Sequence, residues 1–187
     1  MCIEILKNPA GALAKAKKVK DYKHVATVLL EAAAAVGVAF GIAAMSITQS
    51  YAVLAAVAGT MFSLAILFML LFALVVHLSV RALGQSKYVH ALTAVVYGMV
   101  HVSAGMLAAA ALLYVPSIGE YLAVVVLFPF LAASLAVLYR GLTGLLSLEA
   151  AAAFAVMFFS MLSVFLAVFA LRLLVAVSTL AYYAMML

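Results

Sequence analysis

MFSLAILFMLLFALVVHLSV (61–80), RALGQSK (81–87) and YVHALTAVVYGMVHVSAGMLAAAALLY (88–114) follow one another without interruption, and how they are read decides the fold. The first arm holds one ionisable side chain, His77, and the second holds only His90, His101 and tyrosines. A bilayer core is about 30 Å thick and an α-helix rises about 1.5 Å per residue, so each arm can cross it. The turn then lies at a membrane face. Arg81 and Lys87 direct that face to the cytoplasm, because short loops rich in Lys and Arg stay on the side of synthesis.

Beyond this hairpin the chain keeps the same character. It is 72% hydrophobic and 8% charged over 187 residues, against soluble norms of about 45–50% and about 25%. That composition predicts an all-α, polytopic, multi-pass protein of the cell membrane, with a basic leader at 1–24 and one transmembrane domain at 25–187. The formal charge of +5 belongs to flanks and loops, which favours an anionic lipid surface as partner and excludes nucleic acid. No enzyme is expected. The five carboxylates are scattered, and there is no phosphate-cradling glycine loop, zinc-type spacing or serine elbow. Cys2 is the single cysteine, so no internal disulfide can form.

The leader carries Lys7, Lys15, Lys17, Lys18, Lys20 and Lys23. Asn8-Pro9 marks a helix start, with Asn8 as cap and Pro9 at the first helical position. Leu13, Ala16, Val19 and Tyr22 recur every third residue, giving a short helix expected to lie along the inner leaflet. Spans are predicted at Val25–Thr48, Ala52–Val80, Tyr88–Tyr114, Tyr121–Tyr139 and from Glu149 to about Leu171. Cytoplasmic turns are expected at 81–87 and at Arg140–Ser147, and an outer loop at 115–120. Glu31, two turns into the first span, is expected to reach water or a lysine. Ala33, Gly37 and Gly41 form a small-residue stripe for close helix packing, and Pro129 interrupts the fourth span. Arg172 interrupts the final apolar run, whose remaining fifteen residues are too few for another comfortable span of about 20. Five helices follow, with the N-terminus inside and the C-terminus outside; a short sixth segment is the alternative.

The segment His77 to Tyr88, with its Arg81 and Leu83-Gly84, followed by Tyr97-Gly98, resembles the Yip family, integral proteins first known as interactors of Rab-type GTPases. Tyr139 to Ala150 is similar to the family's turn before its last helix, and Lys7-Asn8-Pro9 to the leader of prokaryotic members. The long N-terminal domain and the Asp-Leu-Tyr-Gly-Pro signature of eukaryotic members have no counterpart here. The resemblance implies a five-helix fold of prokaryotic type and a role in membrane organisation or trafficking-like assembly. His77 and Gly84 would then sit at an interaction interface.

Two polar constellations stand out. His90, Tyr97 and His101 return to within about 20° of one helix face, with Thr93 at the border. Polar groups at that depth must face protein or water. They can hold helices together by hydrogen bonds, line a proton or solute path, or, with His77 and His90, ligate a haem. The expectation is no cofactor and no metal. His77 and Arg81, four residues apart, could bind a lipid phosphate together with Lys87, or simply suit a helix C-terminus. Lys15, Lys17, Lys18, Lys20, Lys23, Arg81, Lys87 and Arg140 form the expected lipid-binding set. The function expected is a non-enzymatic scaffold in contact with anionic lipid and with a membrane-protein partner or a second copy. The alternatives are a small transporter or channel and an accessory subunit of a larger complex.

Overall fold

The computed structural model describes residues 2–18, 22–83 and 87–184, the last stretch as backbone beyond 169. Its helices are α1 (Cys2–Lys7), α2 (Pro9–Lys18), α3 (Tyr22–Thr48), α4 (Tyr51–Arg81), α5 (Tyr88–Leu112), α6 (Gly119–Leu145) and α7 (Ala150–Ala184). Helix α2 starts as its sequence dictates: Pro9 leads, and the Gly11 N–H donates to Asn8 Oδ1 at 2.9 Å. Helices α3 and α4 are antiparallel neighbours because only Gln49-Ser50 separates them. Gln49 takes a left-handed backbone, φ 52°, and the Ser50 hydroxyl accepts the Val53 N–H.

Helices α3, α4, α5 and α6 are each long and apolar enough to cross a membrane. Helix α7, apolar from Ala150 to Leu166, supplies the fifth rod. Helix α5 is the axis of the bundle. Its apolar stretch is 61% buried, against 44, 28 and 17% for α3, α4 and α6. Around it stand α3, α4 and α6, and α7 packs outside against α4 and α6. The order round the axis is therefore α3, α4, α7, α6, and the ring does not close, because α3 and α6 do not touch. The core runs along the axis through Ala91, Val95, Val96, Val100, Met69, Ala73 and Val76.

Small residues permit this packing. A side chain on Gly37 would meet the Ala58 carbonyl oxygen at 2.6 Å, and one on Gly41 the Leu54 carbonyl at 2.9 Å. The small-residue stripe is therefore the α3–α4 seam. Hydroxyls on the lipid-facing side are satisfied within their own helices: Thr60 donates to the Ala56 carbonyl at 2.9 Å and Ser163 to that of Phe159 at 2.8 Å. That is what a hydrocarbon solvent requires.

The clearest difference from the sequence expectation is one boundary. The fourth helix does not end at Tyr139; α6 runs on through Arg140 to Leu145, so only residues 146–149 connect it to α7. Gly141 serves packing here instead of turning: a Cβ added to it would stand 2.6 Å from that of Ala94 in α5. Pro129 lies within a helix assigned without a break, where its ring nitrogen leaves the Val125 carbonyl without its usual donor. Helix α7 passes Arg172 as one helix to Ala184, with no separate sixth element among the described residues.

Candidate functional site: a chamber under the N-terminal leader

The leader is a fitted piece of the bundle. Ile5, Ala12 and Leu13 are buried in the common core, with α1 against α3 and α5, and α2 against α5 and α6. Leu13 reaches the crossing of Gly141 and Ala94. The buried positions 12 and 13, with half-buried Ala16, are one face of a helix. Lys7, Lys15 and Lys17 lie on the exposed side.

Polar contacts fasten this piece. Glu4 of α1 pairs with Lys15 of α2, and the pair is solvent-exposed. The Cys2 backbone N–H donates to Glu31 Oε2 of α3 at 3.2 Å. Glu31, expected to reach water or a lysine, finds one partner in the backbone at the start of the leader. Burial pushes the Cys2 thiol up to about 12, helped by the hydrogen bond and charge of Glu31. A thiol so held stays protonated at neutral pH and is a poor nucleophile. The Lys15 ammonium, by hydrogen bond and by charge, holds the Glu4 carboxyl below the usual range.

Beneath α1 and α2 lies a cavity of about 140 Å³ lined by Glu4, Ile5, Lys15, His24 and Tyr97. At its floor His24 Nε2 and the Tyr97 hydroxyl are 2.9 Å apart, with the rings edge-on at 6.3 Å. This is the hydrogen bond that ties α3 to α5. His24 is two residues into α3 while Tyr97 is nine residues into α5, so α5 begins roughly 10 Å beyond the start of α3 on the leader's side, at 1.5 Å per residue. The leader occupies the step this creates.

The polar stripe of α5 is thus partly gathered. Thr93, Tyr97 and His101 are buried and His90 is half-buried. Thr93 donates to the Val89 carbonyl at 2.7 Å, and His101 Nδ1 is 3.4 Å from the Tyr97 carbonyl of its own helix. Only Tyr97 enters the chamber. At the other inner corner His77 stands perpendicular to the Tyr88 ring at 5.8 Å, and the Tyr88 hydroxyl donates to the Leu70 carbonyl at 3.2 Å.

The basic residues expected to meet lipid divide clearly. Lys17, Lys23, Arg81, Lys87 and Arg140 are exposed, and so is Lys15, which pairs with Glu4. Lys20, Gly84 and the side chain of Lys18 lie outside the described residues. Among the described residues no three His, Cys, Asp or Glu side chains gather as a metal site. The chamber instead offers an imidazole, a phenol, an ammonium and a carboxylate, which suit water or a small polar group. Two of these, His24 and Glu4, were not singled out in the sequence. A stronger weighting of the histidine at the mouth of the first span would have found His24.

A family model for the Yip1 domain matches residues 3–172, from α1 to far along α7. Comparison with curated proteins and with solved structures gives no match.

Proposed function

The chain belongs to the Yip1 domain family, and on that premise we propose that it is a non-enzymatic organiser of the cell membrane whose inner face contacts anionic lipid. The observation that carries this reading is the mounting of the leader. Its apolar face is sunk into the bundle while Lys7 and Lys17 stay exposed, and by topology Arg81, Lys87 and Arg140 join the same face. A cation near an anionic leaflet contributes about 1 kcal/mol. Lys15, neutralised by Glu4, adds less than its neighbours. A membrane-protein partner or a second copy would meet this same basic face.

Purified protein bound to immobilised anionic lipid tests the reading. Wild type should bind, with affinity falling as salt screens the charges, and the double variant Arg81→Ala, Lys87→Ala should lose about tenfold, roughly 1.4 kcal/mol. Equal binding by wild type and double variant at all salt concentrations would contradict it. In reconstituted vesicles, tethering or shape change without flux supports the organising role. Proton or solute flux lost on His101→Leu would replace it with a transporter, and other chains co-purifying in fixed ratio would replace it with an accessory subunit.

A further inference from the structure

Helices α3 and α6 both lean on α5 without touching each other, and the leader fills only the inner part of the gap between them. The outer part is open as an apolar groove of about 360 Å³. Met106, Ala109 and Ala110 of α5 form its floor; Ala39 and Ala43 of α3 form one wall, and Ala123 and Leu127 of α6 the other. Glu120, in the first turn of α6, stands at its rim.

We propose that this groove binds one acyl chain of an outer-leaflet lipid whose headgroup carries a primary ammonium, received by Glu120. The volume lies within the range of about 300–1,000 Å³ typical of small-molecule sites, and alanines make the space where larger side chains would close it. The open stretch from Met106 to Leu113 is roughly 10 Å long at 1.5 Å per residue. A spanning partner helix would need about 30 Å of continuous face, whereas one leaflet offers about 15 Å of hydrocarbon. The leader blocks the inner part, so the groove matches a chain entering from the outer leaflet and does not match a second helix. Charge decides the headgroup. Glu120 is exposed and has no hydrogen-bond or ion-pair partner among the described residues. A carboxylate at the interface takes an ammonium by a charge-assisted hydrogen bond.

The test is native mass spectrometry of the full chain released from nanodiscs of equal phosphatidylethanolamine and phosphatidylcholine, which carry no anionic lipid for the basic face and differ in the primary ammonium. Wild type should retain phosphatidylethanolamine preferentially. Ala109→Phe and Ala43→Leu, which fill the groove from its floor and one wall, should each cut retention at least about tenfold. Glu120→Gln should keep a bound lipid and lose the headgroup preference. Ala56→Phe, on the exposed side of α4, should leave both unchanged, and unfolding midpoints near wild type certify the folds. Undiminished retention in both filled variants, or equal retention of the two lipids by wild type, overturns the proposal. So does a wild-type dimer that the filled variants abolish, since a second copy would then be the occupant.

Discussion

His24 and Tyr97 are joined by a single 2.9 Å contact at the point where the leader, α3 and α5 meet. Hydrogen bonds between membrane helices average about 0.6 kcal/mol in double-mutant cycles and reach about 1.7. Tyr97→Phe removes the hydroxyl and keeps the ring, so it should cost about 0.5–1.5 kcal/mol of unfolding free energy in detergent. Combined with His24→Ala, it should show a coupling of similar size; strictly additive losses would mean that the contact carries no energy. That Tyr97 must find a partner is legible from its place on a polar face of an apolar helix. The identity of that partner is not. His24 is 73 residues away in the chain, and the two meet only because parallel helices are offset along their axes, which no local pattern encodes.

At the scale of elements, the seams of the bundle are set by where backbone can approach backbone. Gly37 and Gly41 bring α3 onto α4, while Gly141 meets Ala94 and Gly105 makes room for Phe130, whose Cβ would stand 2.6 Å from a Cβ added there, bringing α6 onto α5. Gly37→Leu should therefore force α3 off α4 and destabilise by about 1–3 kcal/mol. Gly59→Leu, where a side chain meets nothing within 4 Å, should shift the thermal midpoint little; equal shifts in the two variants would refute the seam. The four-residue step of Ala33, Gly37 and Gly41 announces a packing face in the sequence, although it does not say which helix lies on it. Gly141 shows the opposite ambiguity. Beside Arg140 and Gly144 it reads as a turn, but its missing side chain is needed mid-helix, and α6 extends to Leu145 as a consequence.

The whole molecule is an axial helix in an incomplete ring, with the gap closed at one end by the N-terminal leader. Helix number is legible because hydrocarbon imposes length and composition on every rod that crosses it. The docking of the leader is not, since a helix with lysines on one side and alanine and leucine on the other suits a lipid surface and a protein groove equally well. Burial of Ile5, Ala12 and Leu13 decides for the groove, and Lys7 and Lys17 stay exposed on the opposite side. Nine of the ten cations, all but Arg172, fall on the leader side of a five-span arrangement. The most direct test is labelling by a membrane-impermeant maleimide, in a Cys2→Ala background, of single cysteines at Lys7 and at Met186. On intact cells only Met186→Cys should react, and Lys7→Cys only after permeabilisation; reaction of both from the same side would contradict a chain that crosses the membrane five times.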